Sequence, residues 1–417
     1  MSEFIDNVEQ SPRVRALLEF ATRVLDGGDI SALAPEYETA IEAVEPYDVL
    51  VIEDELLADG VSVPAIKEGM PPILETLRPA LEAYDWDRPD RGHPIDNLLG
   101  EHQAIESHLE SLGPLVDEIA TSSTPPLDAV SELQDHVSAL AGIDRQFVRK
   151  ENVLFPHTEG HWKHDRPLGV MWSIHDDIRS IRSTIEDLSS DPDTNPETLS
   201  TLVSRLQTMV RGLQLKDEFV VFPVAKETLG ETEWAQIQRE SAEIGYFEIE
   251  PGFGFLETGS DAASANQAQD GSARTDVSSN AVALGLDTGT LDPDEIQRLL
   301  DTIPLDVTYV DENDRVRYFN NPEDRIFPRS GSIIGRTVQH CHPPESVDTV
   351  EEILEAFRSG SQDSARFWIQ TDEDFVVIDY RALRDESGTY RGTLEITREV
   401  SDLRELTGEQ RLIEWGN

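Results

Sequence analysis

The sequence is poor in sulfur, in positive charge and in long apolar runs, and each shortage removes a class of protein. It holds one cysteine, Cys341, in 417 residues, so no disulfide closes within the chain and no cysteine-rich zinc site can be written. A reducing interior is the expectation. No apolar run approaches the roughly 20 residues that cross a bilayer. The opening residues, Met1-Ser2-Glu3-Phe4-Ile5-Asp6, lack the basic and apolar regions of a secretory leader. The expected location is cytoplasmic, with no membrane partner. Lys and Arg number 34 against 83 Asp and Glu, a formal net charge of -49, which repels phosphate backbones and anionic lipid alike. Nucleic acid is not expected as a partner. Kinase motifs, a helix-turn-helix, a phosphate-binding glycine loop and a nucleophile elbow are also missing. The chain is therefore expected not to be an enzyme and to act through an unknown protein output partner.

What is present is compatible with folded domains, since hydrophobic residues still make up 38% of the chain beside 28% charged ones. The acid is spread along the whole length, as on the solvated surfaces of a halophilic, acidic proteome. At roughly 150 residues per domain, two to four modules are expected. Helical spacing dominates up to about residue 245, and short alternating segments dominate after 292. A polar stretch without hydrophobic period, 257–290, reads as a flexible acidic linker between them. Residues 1–85 form a first helical module, with Val14, Leu17, Leu18, Ala21, Val24 and Leu25 on one face and Gly27-Gly28 as its stop. The prolines at 71 and 72 and those from Pro89 to Pro94 are expected to break helix and to part this module from the next.

Between 93 and 245 four apolar stripes can be written, which argue for an up-down four-helix bundle. They run through Ile95, Leu98, Ile105 and Leu109; through Leu133, Val137, Leu140 and Phe147; through Met171, Ile174, Ile178 and Ile181; and through Leu199, Leu206, Leu213 and Val220. Ionisable residues fall on the same stripes, where burial without a partner costs several kcal/mol. His102 stands four after Leu98, and His175 four after Met171. Asp144 and Glu151 continue the second stripe, and Asp217 the fourth. Histidine and carboxylate from facing helices are how bundles build metal sites. An inward histidine is also commonly a satisfied core residue, so a hydrogen-bond network and a metal site stand as alternatives. His157, His161 and His164 lie in a Pro- and Gly-bounded connection and read as exposed surface residues. Nothing in the spacing forces His93 inward.

At these residues the chain resembles the haemerythrin-like (HHE, cation-binding) bundle, through Gly100-Glu101-His102-Gln103-Ala104-Ile105-Glu106, Trp172-Ser173-Ile174-His175-Asp176-Asp177, and two helix endings, Phe155-Pro156 and Phe222-Pro223. The first module resembles the domain of unknown function (DUF) that precedes such bundles in haemerythrin-PAS fusion proteins of archaea and bacteria, through Leu56-Leu57-Ala58-Asp59-Gly60-Val61-Ser62-Val63. The resemblance implies a carboxylate-bridged di-iron centre, with a His-x-x-x-Glu step ahead of each Phe-Pro. Here those steps read Gln146 to Lys150 and Leu213 to Asp217, so both histidines are absent and a lysine replaces one carboxylate. What carries over is His102, His175 and Asp217, with Glu151 one place off. A depleted site for a single iron, or a bundle kept for packing and signalling, fits these substitutions better than two irons.

The C-terminal module, 292–405, opens on Asp292 as N-cap with Pro293 in the first turn. Strands are expected at Val307 to Val310, Val316 to Phe319, Phe367 to Ile369, Phe375 to Leu383 and Thr393 to Ile396, with a helix through Val347, Val350, Ile353, Leu354 and Phe357 between the second and third. This order resembles a PAS domain, as do Asn320, Ile334-Gly335-Arg336 and the closing Asp385, Gly388, Gly392 and Thr397. The fold class expected is multidomain: an all-α N-terminal module and four-helix bundle, then an α/β PAS domain with an antiparallel sheet and flanking helices. The resemblance implies haem, flavin or a small metabolite as ligand, and dimerisation through PAS or helical modules. His340, Cys341 and His342 are the candidate cofactor ligands, a loop thiolate or imidazole being able to hold haem iron. Two functions follow as expectations. One is a sensor or signalling adaptor whose PAS domain reads a small ligand or redox state. The other is a non-haem iron protein for oxygen or nitric oxide binding or iron-sulfur repair.

Overall fold

A computed structural model describes residues 11–121, 126–191, 194–252, 284–286, 288–322, 325–370 and 374–408. They form two compact units, one helical and one built on a sheet.

The helical unit begins with α1 (Pro12–Leu25), α2 (Ile30–Leu33), α3 (Glu38–Glu42), α4 (Pro46–Ala58) and α5 (Val63–Glu82). Ser11 caps α1 by accepting from Arg13 N, with Pro12 pre-setting the first turn. Pro71, Pro72 and Pro79 lie inside α5, so the expected break there does not occur. All three prolines are exposed, while Ile66, Met70, Ile73, Leu74, Leu77 and Leu81 are buried on the opposite face. Six such side chains, at about 1.5–3 kcal/mol each on burial, are enough to offset the roughly 3 kcal/mol cost of each of the three interior prolines.

The bundle follows: α6 (Pro94–Thr121); α7 (Leu127–Ala139), α8 (Asp144–Arg149) and α9 (Phe155–Glu159) in succession; α10 (Arg166–Ser190); and α11 (Pro196–Lys216), continued by α12 (Phe222–Thr228). The closing α13 (Glu231–Ile244) packs on α6 and α8. Helix α6 packs on α7 and α11, and α10 on α7 and α11, which is the four-helix arrangement the stripes called for. A single apolar core runs from Leu17 and Phe20 through Leu50 and Ile73 to Ile105, Phe147, Ile178 and Phe222.

Helix α4 is buried almost all round, and its acids are its attachment points. Asp48 takes Arg13 Nε at 2.7 Å, Glu53 takes Lys216, and Asp54 takes Arg166 at 2.7 Å.

Two short stretches of the second and fourth bundle helices, Lys150–Leu154 and Asp217–Val221, are π-helical. Each runs directly into a Phe-Pro pair. A proline ring collides with the carbonyl four residues back in an α-helix, and the wider π turn relieves that clash while inserting one residue. All five residues from Lys150 to Leu154 are buried, as are Asp217, Val220 and Val221 of the second stretch.

In the second unit β1 (Leu284–Leu286) and β2 (Gly289–Leu291) pair antiparallel. The last residues of the expected linker 257–290 thus form a hairpin, and the linker up to 283 lies outside the described residues. Then come α14 (Pro293–Thr302), β3 (Asp306–Asp311), β4 (Val316–Phe319), α15 (Pro344–Ser359), β5 (Ser364–Gln370), β6 (Phe375–Arg384), β7 (Tyr390–Glu399) and α16 (Ser401–Glu405). The five long strands form one antiparallel sheet in the order β4-β3-β7-β6-β5. Asn320, fully buried, joins α14 to the sheet: its Nδ2 donates to the carbonyls of Leu300 and Leu305, both at 2.8 Å, and its Oδ1 accepts from Val307 N at 2.7 Å.

Candidate functional site

The inserted π residues decide what reaches the bundle axis. Lys150, three after the stripe residue Phe147, is fully buried, and its Nζ lies 2.7 Å from Asp217 Oδ2. His102 Nε2 approaches the same oxygen at 3.5 Å, and its Nδ1 meets Glu218 Oε1 at 3.1 Å. Burial works against a charged His102, yet the Asp217 and Glu218 carboxylates outweigh it and raise its pKa. Burial likewise opposes an ionised Asp217, but Lys150 and His102 hold it below the usual carboxylate value.

Across the axis His175 Nδ1 donates to Glu151 Oε1 at 2.7 Å, while Arg179 grips both Glu151 oxygens at 3.1 Å. Burial, reinforced by Lys150 and Arg179, pushes the His175 pKa well down, so the ring is neutral, stacked on Phe147 with centroids 4.1 Å apart. Two more buried ion pairs, Arg149 with Glu101 and Lys216 with Glu53, flank the centre. Gln146 donates weakly to the Leu98 carbonyl at 3.3 Å.

His102, His175, Glu151 and Asp217 are therefore inward, as their spacing predicted. Asp144 is not. The 3-10 turn Leu140–Ile143 just before it changes the helical phase, and Asp144 sits half-exposed, paired with Arg179 at 2.5 Å. Two readings of the connection also need correction. His164 is buried, bound to Asp54 at 3.1 Å, and His157 is mostly buried near Glu240; only His161 is substantially exposed, 2.6 Å from Glu233. Packing of α13 and α4 over this connection covers what a linear sequence leaves open. His93 is inward too, its ring 4.6 Å from that of Trp234 and its Nδ1 accepting from Ile95 N.

The donor set does not fit a pair of irons. A lysine ammonium takes the carboxylate oxygen a bridging cation would need, and it repels a second positive charge. Among the described residues the one group of three His, Cys, Asp or Glu whose ligand atoms lie within 4.8 Å of one another is Asp54, Glu55 and His164, outside the bundle centre. There Arg166 already binds Asp54 through backbone and guanidinium. Three centre atoms, His102 Nε2, His175 Nε2 and Asp217 Oδ1, remain buried without a hydrogen bond.

In the second unit His340, Cys341 and His342 do not converge. His340 is exposed and Cys341 lies in the core with Val310, Val316, Ile333, Val338 and Leu354, its Sγ 3.6 Å from the Thr337 carbonyl. His342 is half-buried, and burial lowers its pKa. One face of the sheet carries a polar group that the sequence reading missed: Glu395 lies opposite Thr308 and Tyr380 in the strand register, Arg329 reaches it at 3.7 Å, and buried Thr397 Oγ1 has no hydrogen bond. Burial, with Glu395 beside it, pushes the Tyr380 phenol up. Alternation of Asp306 and Thr308 in β3 with Thr393, Glu395 and Thr397 in β7 was the available signal.

The model of the family described as hemerythrin HHE cation binding domain matches residues 93–225, and that of the PAS domain matches residues 296–401. The chain carries a hemerythrin HHE domain followed by a PAS domain. The helical segment α1–α5 precedes both. No curated protein matches. Among solved structures the chain is similar to the C-terminal domain of a protein from Streptococcus mutans (30% identity, 30% of this chain and 98% of that one, TM-score 0.29). It is also similar to a sensory box sensor histidine kinase from Vibrio cholerae (15% identity, 25% and 88%, TM-score 0.21). A PAS domain from Colwellia psychrerythraea matches at 14% identity over 26% of this chain and 97% of that one, TM-score 0.22. The pairing of HHE and PAS domains supports a sensory or signalling role. No helix among the described residues is long and apolar enough to cross a membrane.

Proposed function

We propose that the chain is a non-enzymatic signalling adaptor in which the PAS domain reads a small polar ligand and the HHE bundle, held together by ion pairs in place of iron, passes the state to a protein partner. The observation that carries this reading is the Lys150–Asp217 pair at 2.7 Å in the bundle centre: a resident cation of the protein stands where metal chemistry would need an open coordination position. The charged inner face of the PAS sheet around Glu395, Arg329 and Tyr380 favours a polar metabolite over an apolar macrocycle.

A second reading, a single cation held by His102, His175 and Asp217, draws on their three unbonded buried atoms. Glu151 orients His175 through Nδ1 and leaves Nε2 bare, as a carboxylate orients a metal-ligating histidine; Lys150 would have to withdraw. Elemental analysis and an absorption spectrum of anaerobically purified full-length protein separate the two. The adaptor reading expects neither stoichiometric non-haem iron nor a Soret band. One equivalent of metal supports the second reading and overturns the first.

A further inference from the structure

Beside the bundle centre lies a groove that neither reading uses. It encloses about 790 Å³ between α5, α10 and α11, within the roughly 300–1,000 Å³ of small-molecule sites. Its walls are mostly apolar, with Ile66, Met70, Leu74, Ile174, Met209 and Leu213, and the carboxylates of Glu68, Glu75 and Asp177 also line it. The two methionines are unbranched and adapt to irregular ligand shapes. Leu213 stands at a step where the haemerythrin resemblance implies a histidine, so a metal-directed position has become part of an apolar wall.

The groove has two polar ends. Arg205 and Lys216, both lining it, are eleven residues apart on α11, about 16 Å at 1.5 Å per residue. At the Lys216 end Glu53 gives one oxygen to Lys216, while its other oxygen, Oε1, is buried and has no hydrogen bond. An unsatisfied buried acceptor calls for a donor. At the other end Arg205 is exposed and has no ion pair among the described residues, in a chain with 83 acidic side chains. The other cations of the groove are occupied: Lys67 by Asp177 at 2.7 Å, Arg211 by Glu106 at 2.6 Å, and Lys216 by Glu53.

We infer that this groove binds a linear aliphatic carboxylate bearing a terminal hydroxyl. The carboxylate pairs with Arg205, the extended chain lies on the apolar walls, and the hydroxyl donates to Glu53 Oε1. This site is independent of whether the bundle centre holds a metal and of what the PAS domain reads.

Gly212 supplies the test. It lines the groove inside α11, and a Cβ built there meets nothing within 4 Å. Gly212→Leu therefore starts its side chain in open space at the groove wall, and replacing an interior helical glycine favours folding. Binding of 10-hydroxydecanoate and of decanoate to the full chain is measured by titration calorimetry in about 1 M potassium chloride, where the Debye length of roughly 3 Å screens the chain's net charge. The expected result is saturable binding of 10-hydroxydecanoate, about tenfold tighter than decanoate, the worth of one hydrogen bond. Arg205→Gln, a surface change, weakens both about tenfold, and Gly212→Leu abolishes both while its melting temperature stays the same or rises. Absence of saturable binding, or binding that survives Gly212→Leu, overturns the site. Equal affinity for the two compounds overturns the Glu53 end of the assignment.

Discussion

Lys150 and Asp217 occupy matching positions in two π-helical turns, each six residues ahead of a proline (Pro156 and Pro223), and they pair with each other across the bundle axis at 2.7 Å. Both are fully buried. The two halves of the bundle thus present opposite charges from equivalent places, where two carboxylates in the same places would require external cations. The helices can close on each other without anything bound.

Breaking that pair from one side is expected to be costly. Lys150→Met leaves Asp217 ionised among apolar neighbours, with His102 as its remaining cationic contact, and should destabilise the helical unit by about 3–5 kcal/mol. Removing both charges, as in Lys150→Met with Asp217→Leu, eliminates the stranded anion and should recover most of that loss. Urea unfolding of the two single variants and the double variant yields the coupling energy. If Lys150→Met unfolds like the parent protein, the ammonium is not compensating Asp217.

The same geometry predicts indifference to metal removal. Ligands that bind only the folded state raise its stability by mass action, and stripping them lowers it. Chelation of the purified protein should leave the melting temperature of the helical unit within about 1 °C, a change corresponding to less than about half a kcal/mol. A large fall after chelation would show that a cation, and not Lys150, neutralises the centre.

His102 and His175 could be placed at the axis from sequence because a 3.6-residue count holds along α6 and α10 up to their positions. The same count misplaced Asp144, since the 3-10 turn Leu140–Ile143 shifts the phase. Lys150 and Glu151, consecutive at the head of a π insertion, are both buried. The Phe-Pro endings were the visible marker of those insertions, but their effect on the preceding turn is a steric property of the folded helix. Long-range cover was invisible for another reason. Asp54 and His164 are 110 positions apart and meet only when α4 packs on the bundle. Continuous helix through Pro71, Pro72 and Pro79 depends likewise on the burial of one α5 face. In the PAS domain the alternating strands and Asn320 were legible because their signals are local, whereas the meeting of Arg329 with Glu395 requires the folded sheet.

His93 makes the acid side of the stability curve testable. Burial, aided by Lys226, lowers its pKa from 6.5 to about 3. The unfolded chain therefore binds a proton at His93 below pH 6.5 that the folded chain refuses. This contribution to stability is fully present above pH 6.5 and is lost progressively as the pH falls towards 3, reaching on the order of 4 kcal/mol. His93→Phe keeps a ring against Trp234 and removes the titration. The difference in unfolding free energy between parent and variant should shift steadily between pH 6.5 and the lowest pH at which both fold, and be flat above pH 7. A difference independent of pH would mean that His93 titrates normally in the folded protein.

Asn320 offers the sharpest separation between packing and hydrogen bonding in the PAS domain. Its amide satisfies three backbone groups at once: two carbonyls, from Leu300 and Leu305, and the Val307 amide. Asn320→Ala leaves all three without this partner and should cost about 3 kcal/mol. Asn320→Asp has nearly the same shape and still accepts from Val307 N, but it turns a double donor into an acceptor facing two carbonyl oxygens. If shape mattered most, Asp would be the milder change. Because the contacts are directional, it should be at least as damaging as Ala in loosening α14 from the sheet. Hydrogen exchange monitored by mass spectrometry reads this directly. Peptides covering 299–305 should exchange faster in both variants, while protection of Val307 should fall more in the Ala variant than in the Asp variant. Equal protection of the 299–305 peptides in parent and Asp variant would show that the two donated bonds do not hold the helix.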